Sequence, residues 1–160
     1  PNGLHIRFIT KEVAEFLYKA NFKTLRLSFE TADEKRQKET GNKATTEELK
    51  RAIKYLTESG FLRKDIEVYI LVGFPDQKRE EVIDSINIVK DLGAVPKIVE
   101  YAPIPGTYEY KKFFGNTFID PLFHNNSIFF AKYSNFDWDD MRYFREIAKE
   151  FTTEDIEYRQ

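Results

Sequence analysis

The stretch Ile66-Glu67-Val68-Tyr69-Ile70-Leu71-Val72 decides how this chain is read. It is close to a continuous apolar run, rich in β-branched residues, and it stops at Gly73-Phe74-Pro75. Runs of that kind fit parallel strands buried between two layers, apolar on both faces. Just upstream, Leu49, Ala52, Ile53 and Leu56 fall at i, i+3, i+4 and i+7, one face of a helix over Thr46–Ser59. Thr45 and Glu48 make a capping box at its start, and Gly60 offers the left-handed position at its end. The same unit of helix, turn residue and apolar run occurs three times. One copy is Lys11–Ala20, Asn21-Phe22 and Thr24–Glu30, with Thr10 as cap and Val13, Phe16, Leu17 and Ala20 as its stripe. Another is Arg79–Leu92, Gly93 and Lys97–Tyr101, striped by Val82, Ile83, Ile86, Val89 and Leu92. A strand over Leu4–Ile9 precedes them all.

Strands alternating with helices of this length indicate βαβ units. The expectation is an α/β chain of about four parallel strands, joined by right-handed crossovers. Two architectures share that pattern, a small doubly wound sheet and a segment of a TIM-like (β/α) barrel. From Pro103 onward the character changes to loop-rich and aromatic, with Tyr108, Tyr110, Phe113, Phe114, Phe118, Phe123, Phe129, Phe130, Tyr133 and Phe136. Asp137 then caps a last helix carrying Trp138, Met141, Phe144, Ile147, Ala148 and Phe151. This tail is expected to cover one end or edge of the sheet. Its aromatics read as core, since each buries a large area; a stacking platform for bases is the lesser alternative. Residues 1–107 thus form the repeating part and residues 108–160 an extension packed on the same domain.

Composition narrows the function classes. The 160 residues are 41% hydrophobic and 32% charged, as in an ordinary globule. A net charge of -2 leaves no cationic excess for a dedicated nucleic-acid binder. The basic cluster Lys35–Lys38 is interleaved with acids and reads as a solvated helix face. No apolar run approaches the roughly 20 residues of a membrane span, so no membrane partner is expected and a cytoplasmic location is. The chain has no cysteine, which removes disulfides, thiol catalysis and iron–sulfur ligation from it. His5 and His124 lack metal-ligand spacing, and no phosphate loop or nucleophile elbow occurs. Neither a catalytic residue nor a metal site is put forward. Asn125-Asn126 reads as a turn. The opening Pro1-Asn2-Gly3, without Met, reads as part of something longer.

In parallel α/β folds ligands sit at the carboxyl ends of the strands. Asn2 and His5 accompany the first strand, and Ser28-Phe29-Glu30-Thr31 end the second. A carboxylate at Glu30 suits hydrogen bonds from sugar hydroxyls or an ammonium; a capping or ion-pairing acid is the other reading. Gly73 allows close approach of a flat ligand, or serves only the turn. Pro103 and Pro105-Gly106 stiffen the segment after the fourth strand and leave its carbonyls free of a ladder.

Five segments in register carry a resemblance: Asn2-Gly3-Leu4-His5, Thr24–Thr31, Arg36–Gly41, Leu71-Val72-Gly73-Phe74-Pro75-Asp76-Gln77 and Glu100-Tyr101-Ala102-Pro103-Ile104-Pro105-Gly106-Thr107. In order and spacing they resemble the second half of radical S-adenosylmethionine enzymes. The nearest likeness is to the Fe–S oxidoreductase branch often fused to a cobalamin-binding domain. It runs from Pro1 to Thr107 and more loosely through Asp120–Asn126. The resemblance implies an incomplete (β/α)6 barrel. It places Glu30 near the ribose of S-adenosylmethionine, with Lys43 as the nearest match to a basic residue facing the cosubstrate's carboxylate. Leu71–Pro75 and Tyr101–Ile104 fall on the adenine side, and Asn2 and His5 face the methionine moiety or the substrate. The cofactor-binding candidates are therefore Asn2, His5, Ser28, Glu30, Lys43, Gly73, Tyr101, Ala102, Pro103 and Ile104.

The departure is equally plain. The family's C-x-x-x-C-x-x-C motif, which holds the [4Fe–4S] cluster, is absent. The resemblance therefore implies a fragment of such an enzyme, inactive alone, whose partner is the N-terminal half of the barrel. A stand-alone binding or scaffold domain is the alternative, and it predicts a self-associated dimer, because an unpaired strand edge invites pairing.

Overall fold

A computed structural model describes residues 3–39, 44–123 and 125–157. The elements are β1 (Leu4–His5), α1 (Lys11–Lys19), β2 (Leu25–Glu30), α2 (Glu34–Glu39), α3 (Thr46–Glu58), β3 (Ile66–Val72), α4 (Arg79–Asp91), β4 (Val95–Glu100), α5 (Tyr108–Phe114), α6 (Asn126–Tyr133) and α7 (Trp138–Glu157). The strands form one sheet in the order β1-β2-β3-β4, and every neighbouring pair is parallel. A doubly wound sheet reverses its strand order partway across; this one advances without reversal, as consecutive staves of a barrel do. Right-handed crossovers then put the connecting helices on one face.

Local chemistry sets the helix ends. Thr45 and Glu48 make the reciprocal capping box, with Glu48 N–H donating to Thr45 Oγ1 at 3.2 Å and Thr45 N–H to Glu48 Oε2 at 3.0 Å. α3 ends at Gly60, whose φ of +108° suits only glycine without strain. α3 buries the expected Leu49, Ala52, Ile53 and Leu56. α1 departs from its predicted stripe: it buries Ala14, half-buries Leu17, and leaves Phe16 72% exposed. It packs against α3, and no described strand lies beyond β1 to cover its other side.

The strands are not apolar on both faces. Burial alternates strictly along β3, with Ile66, Val68, Ile70 and Val72 buried, as are Leu25, Leu27 and Phe29 of β2. These face the helices. The opposite face carries Arg26, Ser28 and Glu30 of β2, with Glu67, Tyr69 and Leu71 of β3, by the period of two. Glu67 is gripped from both sides there, by Arg26 Nε at 2.9 Å and Lys97 Nζ at 3.1 Å. The open face is thus polar at its amino end.

Other expectations need correction. The first strand stops at His5 and enters a 3-10 turn over Ile6–Phe8, where the His5 imidazole accepts from Arg7 N–H and Ile6 is fully buried. Lys35–Lys38 does lie on a helix, but Arg36 and Gln37 are buried. The tail is more helical than expected. Thr107 caps α5, and Asn125 is not in a simple turn but caps α6 through Ile128 N–H. Asp137 Oδ1 caps α7, which lies along β4 and α4. Phe129, Phe130, Met141 and Phe144 join the core, whereas Tyr108, Phe118 and Phe123 are exposed. Pro96 is tolerated in β4 because β4 is an edge strand.

Candidate functional site at the carboxyl end of the sheet

At the carboxyl ends of β2, β3 and β4 lies a cleft of about 290 Å³. Its lining is Glu30, Leu71, Phe74, Glu100, Tyr101, Ala102, Ile104, Thr107, Glu109 and Asn126. Four sequence candidates, Glu30, Tyr101, Ala102 and Ile104, therefore meet in one place although about seventy residues of chain separate the first from the rest.

Glu30 arrives there through a defect in the ladder. The β2–β3 register shifts between Ser28 and Glu30, a bulge that re-aims the strand end. Glu30 has φ +78°, a left-handed conformation that costs a non-glycine residue about 1–2 kcal/mol. Such strain persists only where the surroundings over-determine it. The next residue supplies that restraint. Thr31 is buried, donates from Oγ1 to Glu81 Oε1 at 3.0 Å, accepts from Asp33 N–H at 3.1 Å, and its carbonyl accepts from Gln37 Nε2 at 2.9 Å.

Behind the cleft stands a buried ion pair. Arg36 meets Glu81 in a fork, Nε to Oε1 at 2.7 Å and Nη2 to Oε2 at 3.1 Å, and reaches Asp76 Oδ1 with Nη1 at 3.1 Å. Its guanidinium sits 4.6 Å from the Phe74 ring centre. Phe74 in turn stacks on Tyr101 with centroids 3.9 Å apart, and Phe129 meets Tyr101 edge-on. Burial works against charge on Arg36, but Glu81 and Asp76 outweigh it and raise the guanidinium further. Burial likewise opposes ionisation of Asp76, yet Arg36, and Lys112 beyond it, hold that carboxyl below its ordinary value.

Tyr101 is the unusual member. It is 8% exposed and its hydroxyl has no hydrogen-bond partner among the described residues. Burial, then the nearby carboxylates Glu109 and Glu30, push the phenol well above its ordinary pKa, so it is a neutral O–H at physiological pH. An orphaned buried hydroxyl costs about 1–3 kcal/mol.

The other candidates lie elsewhere. Ser28 occupies the open face beside Gly3, its hydroxyl filling the space where a Cβ there would stand. His5 caps the 3-10 turn and packs on Phe8 with centroids 5.2 Å apart. The space over Gly73 is taken by Phe130, which a Cβ would meet at 2.7 Å, and Gly73 N–H donates to Gln77 Oε1 at 2.9 Å. Pro103 is buried and does not line the cleft. Asn2, Lys43 and His124 lie outside the described residues. Phe74 lay within the Leu71–Pro75 segment that the resemblance put on the adenine side, whereas sequence reasoning missed Arg36, Glu109 and Asn126. The cap residues Thr107 and Asn125 were the available signals for the last two, since each starts a helix that points a residue at the cleft.

The residues suit a flat, donor-bearing, cationic molecule such as S-adenosylmethionine: apolar walls at Leu71, Phe74 and Ile104, and the carboxylates of Glu30, Glu100 and Glu109. They do not suit an iron–sulfur cluster. The chain has no thiolate, and no group of three or more His, Asp or Glu arranged for a metal occurs among the described residues. No helix among them is long and apolar enough to cross a membrane.

The family model described as "Radical SAM superfamily" matches residues 1–89. Coproporphyrinogen III oxidase (HemN) from Escherichia coli, described as a radical SAM enzyme, superimposes with a TM-score of 0.55 at 18% identity. The match covers 67% of this chain and 24% of that one, so the chain spans about a quarter of HemN's length. That likeness is one of fold. A comparison with curated protein sequences gave no match.

Proposed function

The chain belongs to the radical SAM superfamily, and from that premise we propose that it supplies the ribose and adenine side of an S-adenosylmethionine pocket. Residues 1–107 are the barrel portion and residues 108–160 an extension whose α5 and α6 finish the cleft. The observation that carries this reading is the convergence of Glu30 with Tyr101, Ala102 and Ile104 on one cleft at the carboxyl ends of parallel strands. The Glu30 carboxylate accepts from ribose hydroxyls. Leu71, Phe74 and Ile104 hold the adenine between apolar surfaces and keep water from it. When bound, S-adenosylmethionine would be the source of a 5′-deoxyadenosyl radical, on one-electron reduction by the cluster, or of a methyl group. The [4Fe–4S] cluster that the family uses belongs on another polypeptide segment, the N-terminal half of the barrel, which we propose as the partner in the cytoplasm. The parent is then an Fe–S oxidoreductase, and this chain by itself is inactive.

Half of a pocket binds weakly. In an NMR titration of the 160-residue chain with S-adenosylmethionine, shifts are expected at Glu30, Phe74 and residues 101–104, saturating only at millimolar ligand. Saturation at low micromolar ligand, or shifts confined to residues outside the cleft, would contradict the assignment. The alternative, a self-associating scaffold domain, is favoured by the exposed Phe8, Val13 and Phe16 near the sheet's β1 end. Light scattering at high protein concentration separates the two: a dimer supports the scaffold, a monomer counts against it.

A further inference from the structure

The polar side chains of the cleft differ in how far they are already committed. Glu100 is paired with Arg145 at 2.7 Å. Thr107 donates from Oγ1 to the Ile104 carbonyl at 2.7 Å and accepts from Tyr110 N–H at 3.2 Å. The Tyr101 hydroxyl is sealed from solvent. Asn126 carries both donor and acceptor, so it suits either kind of ligand group. Glu109 is different. It stands in the first turn of α5, lines the cleft, and is only half-buried. Its carboxylate makes no hydrogen bond or ion pair with another described residue, and its oxygens are open to solvent. The cations of the adjoining recess are engaged elsewhere, Arg36 by Glu81 and Lys112 by Asp76. The charge on Glu109, with that on Glu30, opposes ionisation of Tyr101, so both carboxylates lie around the end of β4.

We infer that Glu109 is a specificity-determining residue, its carboxylate accepting a hydrogen bond from the exocyclic amino group of an adenine seated in this cleft. The inference rests on the adenine reading above and adds to it the group that reads the base. The order of the sheet sets out the parts. Glu30 closes β2, Leu71 and Phe74 belong to β3 and the loop after it, and Glu109 lies past β4. Neighbouring strands are about 4.8 Å apart, so β2 and β4 stand about 10 Å apart, on the scale of a nucleoside. A carboxylate, an apolar wall and a second carboxylate thus meet hydroxyls, a flat ring and an amino group in turn. The ring nitrogens of adenine are acceptors, which a carboxylate repels. Its amino group is the donor that a second carboxylate can hold. Glu109 also lies beyond residues 1–89, the span that the family model matches, so the contact is carried by the extension.

Purine riboside is adenosine without the amino group. In ligand-observed NMR on the full chain, the wild type is expected to bind adenosine about tenfold more tightly than purine riboside, the worth of one hydrogen bond to a charged group at a partly exposed site. In Glu109→Ala the ratio should fall to about one, through loss of adenosine affinity alone. Glu109→Gln, whose amide oxygen still accepts, should lie between the two. Any loss of folded protein weakens both ligands by the same factor, so the ratio responds only to a residue that senses the amino group. A ratio unchanged in Glu109→Ala overturns the inference and leaves the adenine reading standing. So does a wild type that binds the two ligands equally. If the wild type binds no adenosine at millimolar concentration, the adenine reading fails and this inference with it.

Discussion

The two ends of the open sheet face are built from the same strands and treated oppositely. At the amino end, Glu67 is shared by Arg26 and Lys97 in a ladder of ion pairs across β2, β3 and β4. At the carboxyl end, Glu30 sits in a strained backbone state and the Tyr101 hydroxyl has no partner among the described residues. A face that only had to be stable would resemble its amino end throughout. Strain of that kind persists where the surroundings over-determine it, and it falls at a residue that lines the cleft.

The largest expected effect tests the support beneath the carboxyl end. Arg36→Met leaves Glu81 buried without its cation and should cost about 3–5 kcal/mol in urea unfolding. Adding Glu81→Leu should recover most of that loss. A single-variant cost under about 1 kcal/mol, the range of an exposed pair, would mean that the strained segment is held by hydrogen bonds alone.

A smaller effect of opposite sign probes the strain. Glu30→Gly relieves a left-handed glutamate but adds the entropy of glycine, so stability should rise by up to about 1 kcal/mol. Glu30→Gln keeps the strain and should not rise. Destabilisation by the glycine variant would reassign Glu30 to the structural side of the comparison.

The smallest effect belongs to the amino end. Burial resists ionisation of Glu67, but Arg26 and Lys97 prevail and hold its folded pKa below the ordinary carboxylate value. Its contribution is therefore present above the unfolded pKa, about 4.3, and lost as pH falls through the lower folded value. Glu67→Gln should cost under about 1 kcal/mol at neutral pH. The gap between variant and wild type should close on acidification. A gap that widened in acid would show the ladder to be incomplete.

What was legible in the sequence is what local chemistry decides. The period of α3, its Thr45–Glu48 box and the glycines at 60 and 93 specify helix and stop within a few residues, and they appear where expected. The strand-end positions of Glu30 and Tyr101 followed from the βαβ order alone. The positive φ at Glu30 was hidden because the contact that anchors the next residue, Thr31 to Glu81, spans fifty residues of chain. Arg36 looked solvated because its partners Asp76 and Glu81 belong to another repeat. In the tail, Pro103 and Pro105-Gly106 masked the cap at Thr107, and an aromatic run with no clean period concealed α5 and α6.

Of the described residues, β1 offers only Leu4 and His5 before the backbone curls into its 3-10 turn. A neighbour laid along that margin finds a main-chain handhold of a rung or two. Whatever adjoins it there is gripped chiefly by side-chain packing, and a seam of that kind opens and recloses more readily than a long zipper of amides.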